Sequence, residues 1–95
     1  MKKFEDLKFK PHQTGEGKQG LLFFENGYGV SVVRFKLSFG YGSYTNNEDE
    51  WELAILIGKE DEFELAYNTN ITDDVMGYLT ESEVTNVMKQ VQELD

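Results

Sequence analysis

The side chains that most often do chemistry are thinly supplied in this chain. It has one histidine, His12, and no cysteine, against eighteen Asp and Glu. Without a thiol there is no disulfide framework, no thiolate nucleophile and no sulfur ligand for a metal. His12 follows Pro11 in a polar stretch and has no evident serine or acid partner, so it reads as an exposed loop residue rather than a base or ligand. Two carboxylate runs, Glu48-Asp49-Glu50 and Asp73-Asp74, offer the oxygen atoms that Mg²⁺ or Ca²⁺ prefers. Neither alternates as the ligands of a calcium loop do. The FGYGSY stretch at 39–44 lacks the glycine spacing and following lysine of a phosphate loop. Ninety-five residues also leave little room for a walled cleft. The expectation is a non-enzymatic protein without metal or cofactor.

What remains is binding. Residues 1–47 carry seven Lys or Arg against four acids, and residues 48–95 carry two lysines against fourteen acids. A net charge of −9 disfavours duplex nucleic acid, whose phosphates need clustered cations. It suits an acidic surface that meets a basic groove on another protein. Glu60, Asp61, Glu62 and Glu64, with Glu48, Asp49 and Glu50 expected nearby, are the candidate partner surface. A second reading uses the basic and aromatic side. Arg34, Lys36, Tyr41 and Tyr44 could bind a small ligand such as a nucleotide, with tyrosine stacking on a planar ring.

These residues need elements to hold them, and the stretch from Gly20 to Gly40 is the organising one. Asn26-Gly27 sits between runs of β-branched and aromatic residues, the signature of a two-residue type I′ hairpin turn. That register sets Phe24 against Gly29 and Phe23 against Val30. It puts Leu21, Phe23, Val30 and Val32 on one face and Leu22, Phe24, Val33, Phe35, Leu37 and Phe39 on the other. Residues 2–10 fit a short edge strand ended by Pro11, and His12 to Gln19 a loop. Trp51 to Ile57 alternates as a strand. With Gly58–Glu62 as a loop, Ile57 faces Phe63 and Ile55 faces Leu65, a second hairpin with an acidic tip. Thr72 before Asp73-Asp74 predicts a short helix through Leu79. Thr80 and Glu83 have capping-box spacing, and Val84, Val87, Met88, Val91 and Leu94 form a helical stripe, predicting a helix over 81–94.

The fold expected is α+β: one domain over 1–95, an antiparallel sheet of about four to five strands built from two hairpins, with the C-terminal helix on one face. One helix covers one side only. Leu21, Phe23, Val30 and Val32 are then left for the N-terminal segment or for an interface, a homodimer among the options. The N-terminal MKKFEDLKFKPH has no apolar run of a secretory signal, and no segment has membrane-spanning length.

Four segments together carry a resemblance: DLKFKPH at 6–12, NGYGVSVVR at 26–34, WELAIL at 51–56 and NITDDVMGYLTESEVTNVM at 70–88. With them the chain resembles a family of small proteins of tailed phages and prophages of Gram-positive bacteria. The resemblance spans nearly the whole chain, with TNNEDE at 45–50 an acid-adding departure between the hairpins. It implies a phage origin and a host bacterial cytoplasm. It carries over no catalytic residue. Short phage accessory proteins commonly bind and inhibit a host factor or a defence system, CRISPR effectors included, and that is the leading expectation. A virion or assembly component is a further one.

Overall fold

A computed structural model describes residues 1–12, 16–37, 40–66, 69, 71 and 75–94, with Tyr41 described by its backbone alone. A 3₁₀ turn at Phe4–Asp6 leads into β1 (Phe9–Pro11), β2 (Glu16–Phe23), β3 (Tyr28–Leu37), β4 (Gly40–Tyr41), β5 (Trp51–Lys59), β6 (Glu62–Leu65), β7 (Met76–Leu79) and α1 (Glu81–Gln92). The strands form one antiparallel sheet in the order β1-β2-β3-β5-β6. Short β4 adds to β3, and β7 adds to β5. The α+β architecture with a helix packed on the sheet is as expected from the sequence.

Alternation along the central strands creates two unlike faces. Across β2, β3 and β5, Gly20 pairs with Val32, which pairs with Leu53, and Leu22 pairs with Val30, which pairs with Ile55. These side chains meet Val84, Val87, Met88 and Val91 of α1 in one buried cluster. Val30, Val32, Leu53, Val84, Met88 and Val91 are wholly excluded from water. Burying each such side chain stabilises the fold by roughly 1.5–3 kcal/mol before ordering costs. Helix α1 begins as its residues demand: Thr80 Oγ1 accepts the Glu83 N–H, and Glu83 Oε1 accepts the Thr80 N–H.

The N-terminal segment lies on this same side. Phe4 N–H donates to Thr85 Oγ1 at 3.1 Å, and Gln92 exchanges hydrogen bonds with the Lys2 backbone at 2.7 and 2.8 Å. Phe4 and Phe9 pack on Trp51 with ring centroids 5.5 and 4.7 Å away.

Both hairpins depart from the expected register by one residue. In the first, Phe24 N–H donates to the Tyr28 carbonyl at 2.7 Å, leaving a three-residue loop, Glu25-Asn26-Gly27, in which Gly27 alone takes a positive φ of 88°. This is the type I turn closed by a left-handed glycine, so Phe23 pairs with Gly29 rather than Val30. A one-residue slip exchanges the faces of one strand. Val30 and Val32 therefore lie under the helix with Leu22, while Leu21 and Phe23 lie on the opposite face. The four-residue dimer patch expected from the sequence is thus split between two sides of the sheet.

Asn26 has a second task that turn chemistry does not reveal. Its Nδ2 donates to the carbonyls of Val91 and Leu94 at 2.8 and 3.1 Å, while Oδ1 accepts the Tyr28 N–H. The hairpin tip is thereby tied to the C-terminal end of α1, whose last carbonyls have no i+4 N–H within the helix to bond. In the second hairpin, Lys59 pairs with Glu62 and Leu56 with Leu65, so the loop is the two-residue Glu60-Asp61. Phe63 and Leu65 thereby move to the face opposite Trp51, Leu53, Ile55 and Ile57.

Two further corrections concern the flanks. Strand β2 starts at Glu16, inside the segment expected to be a loop, and Pro11 ends β1 as a paired strand residue. Met76–Leu79 is strand β7 rather than the end of a short helix, pairing Leu79 with Trp51 and Met76 with Leu53. The expected helix start at Thr72–Asp74 lies outside the described residues, as do Phe39 and the Asn68 and Asn70 turn residues.

Candidate functional site

No second layer covers the far face of the sheet among the described residues, and it divides into two regions. The first is apolar. Phe23 leans over Gly29, where an added Cβ would lie 2.7 Å from the ring, and Gly58 closely adjoins the Phe63 backbone, where an added Cβ would lie 2.8 Å from Phe63 Cα. The bare backbone at Gly29 leaves room for the Phe23 ring, which meets Phe63 with centroids 5.2 Å apart across the intervening strands. Leu56 is sealed beneath, while Leu21, Phe63 and Leu65 remain 37%, 43% and 40% exposed. Large apolar side chains left uncovered on one face are the kind of feature that marks interaction surfaces. Next to it runs an open groove of about 520 Å³ whose walls include Lys8, Lys10, Gln19, Leu21 and Glu60.

The second region is aromatic and polar. Between Trp51↔Leu79 and Leu53↔Met76, two residues of β7, Gly77 and Tyr78, oppose the single residue Glu52 of β5. This is a β-bulge, a device that re-aims a side chain. Tyr78 holds φ = 58°, the one non-glycine with positive φ among the described residues, and its N–H donates to the Tyr44 carbonyl at 2.8 Å. Gly77 is required there, since a Cβ would sit 2.5 Å from Tyr44 Cβ. Tyr44 and Tyr78 stay 56% and 52% exposed. The Tyr44 N–H donates in turn to Glu52 Oε1 at 3.4 Å. Half-burial pushes the Glu52 carboxyl above its ordinary pKa, opposed by the Tyr44 N–H and by the charge of His12. His12 is not a free loop residue: its ring stacks on Phe35 at 4.1 Å.

The sequence-derived site residues fall elsewhere or come apart. Glu60 and Asp61 form the exposed turn of the second hairpin, and Glu62 and Glu64 lie on edge strand β6. Their charges discourage another strand from adding to that edge. Glu48, Asp49 and Glu50 precede β5 at its other end. The nine residues of β5 hold the two groups roughly 26 Å apart at about 3.3 Å per residue. They are two acidic regions, not one. Glu50 is partly committed already, its Oε1 accepting the Asn46 N–H at 2.8 Å.

The basic and aromatic set is likewise divided. Arg34 stacks its guanidinium 4.2 Å from the Trp51 ring centroid and donates to the Glu48 carbonyl, on the helix side of the sheet. Lys36 and Lys18 flank it there, Lys18 directly opposite Arg34, around a pocket of about 230 Å³ that Glu16 and Glu48 also line. Tyr44 is tied instead to Glu52, on the other face. The Tyr41 side chain lies outside the described residues. Glu52 and Tyr78 were not legible as site residues. Their meeting depends on β7 pairing with β5, which no local pattern signals.

Among the described residues, no group of three or more His, Asp or Glu is placed to hold a metal ion, and no helix is long and apolar enough to cross a membrane. Compared with protein-family models, curated proteins and solved structures, the chain matches none of them.

Proposed function

We propose that this is a phage-encoded accessory protein that works without catalysis in the host bacterial cytoplasm, binding one host or defence protein stoichiometrically and inhibiting it. The observation that supports this reading best is the open sheet face. A small fold has placed its whole hydrophobic cluster on one side and left Leu21, Phe63 and Leu65 uncovered on the other, beside an acidic hairpin tip. A basic protein surface with apolar anchors fits that combination. The partner's anchors would enter around Leu56, while Glu60, Asp61, Glu62 and Glu64 steer the encounter.

The test is affinity capture from host lysate, followed by assay of the captured protein's activity with and without the chain. Reversing Glu60, Asp61, Glu62 and Glu64 to lysine is expected to slow association and weaken capture at low salt. An unchanged complex would remove the hairpin from the proposal, and capture of nothing would remove the binder itself.

A nucleotide-binding reading rests on Lys18, Arg34 and Lys36 sharing one face. A ligand binding only the folded chain must raise its Tm, so a thermal-shift panel of linear and cyclic nucleotides tests it. No shift with any nucleotide counts against it.

A further inference from the structure

The bulge opposite Glu52 is the one place where the described backbone departs from what its residue prefers. Tyrosine at φ = 58° costs on the order of 1 kcal/mol, a conformation glycine would take freely. The surrounding hydrogen bond from Tyr78 N–H to the Tyr44 carbonyl holds it there. Its result is two large aromatic side chains on neighbouring backbones, both more than half exposed, beside a half-buried carboxylate. Among the described residues, neither ring belongs to the buried cluster under α1.

An exposed aromatic pair can take a planar neutral ring, an anion-bearing nucleotide or a cation. The local charge decides. Glu52 carries the charge there, Asp49 and Glu50 precede it in the chain, Glu48 lies with Arg34 on the other face, and the basic group that acts on Glu52 is His12. A phosphate would meet like charge there. A cation meets exposed aromatic rings that attract it and a carboxylate that can accept its hydrogen bonds. A planar guanidinium satisfies both at once, stacking on a ring while its N–H fork faces the carboxylate.

We propose that Tyr44, Tyr78 and Glu52 form a receptor for a single guanidinium group, an arginine side chain presented by the partner. The part that assigns the arginine to a partner rests on the binding function proposed above; the receptor itself does not. Glu52, whose Oε1 already accepts the Tyr44 N–H, is the charged acceptor, and the bulge sets Tyr78 opposite it on the neighbouring strand at the expense of backbone strain.

The test titrates the ¹⁵N-labelled chain with N-acetyl-arginine amide, using N-acetyl-citrulline amide as the neutral isostere, at pH 7.5. Arginine is expected to move the amide signals of Tyr44, Glu52, Gly77 and Tyr78 with a Kd near the millimolar range, and citrulline at least tenfold more weakly. Glu52→Gln is expected to remove the difference between the two probes. Tyr78→Gly is the decisive variant: it relieves the strain, so the melting temperature holds or rises, yet arginine binding falls at least tenfold. Equal binding of both probes, or arginine shifts confined to Glu60–Glu64, would overturn the receptor. If the probe binds and no host protein is ever captured, the receptor stands and the partner reading fails. If a protein is captured while the probe is ignored, the reverse holds.

Discussion

The two faces of this sheet are made from the same strands and often from adjacent residues, yet they do opposite things. Val30 and Val32 are sealed under α1, whereas Leu21 and Phe63 on the reverse side keep about 40% of their surface in water. The covered face has a second layer, straps from the N-terminal segment and a tether from Asn26 to the helix end. The open face has a glycine, Gly29, that leaves room for the Phe23 ring, and one strained bulge. One face holds the buried cluster, and the other is the face on which the proposed recognition would take place.

The sharpest way to break this comparison is to truncate one leucine on each face. Leu53→Ala opens a cavity in the buried cluster and is expected to lower stability by about 3 kcal/mol, a fall in Tm of more than about 10 °C. Leu65→Ala is expected to cost less than about 1 kcal/mol. Urea denaturation gives both numbers. Comparable losses would mean that the open face is a structural one.

A slightly smaller effect is expected at the glycine that shapes the apolar region. An alanine Cβ at Gly29 would lie 2.6 Å from the Leu22 carbonyl oxygen and 2.7 Å from Phe23 Cδ1. Gly29→Ala should cost about 2 kcal/mol and displace the Phe23 ring from Phe63. Aromatic proton shifts of Phe63 report the displacement. A variant as stable as the parent, with those shifts unchanged, would show that ring contact is not set by the glycine.

Asn26→Ala should cost about 1–2 kcal/mol, since it strips two hydrogen bonds from the helix end and one from the turn. Amide exchange should rise first at Val91–Leu94. A loss confined to the Glu25–Gly27 loop would mean that the residue serves the turn alone.

The smallest effects differ in sign. Glu83, whose carboxyl is held below its ordinary 4.5 by the Thr80 backbone N–H and then by its side chain, stabilises when ionised. Its contribution is present above pH 4.5 and disappears as pH falls through the lowered folded value. Glu52, raised by burial, works the other way: its ionised form weakens the fold above the raised value, and the penalty is relieved as pH falls toward 4.5. Glu52→Gln should therefore match or exceed the parent in Tm at pH 7, with the advantage gone below pH 4.5. Glu83→Gln should fall below the parent at pH 7 and converge with it in acid. Tm measured against pH for both variants separates a site carboxylate from a structural one.

What could be read from the residues alone follows the range of the interactions involved. Helix α1 and its Thr80–Glu83 box were legible because cap, stripe and dipole all lie within fifteen residues. Strands β3, β5 and β6 and the later half of β2 were legible from alternation, and so was the α+β class, whereas β4, β7 and the start of β2 were not. Register was not. Asn26-Gly27 permits a two-residue turn or the last two positions of a three-residue one, and the choice is made by Val91 and Leu94, far away in the chain. That single residue decided which of Leu21, Phe23, Val30 and Val32 are core. The same limit hid the site. Tyr44 looked exposed and is, but Glu52 and Tyr78 become neighbours through a β5–β7 pairing, and the capping signals around Thr72 pointed to a helix instead.

The claim that one face folds the chain and the other face recognises is tested most directly by a double readout on Leu65→Gln. Melting temperature and capture of the host protein are measured on the same sample as for the parent chain. The prediction is a Tm within about 4 °C of the parent together with loss of most of the captured protein. An unchanged yield of captured protein, or a collapse in Tm to the level of Leu53→Ala, would contradict it.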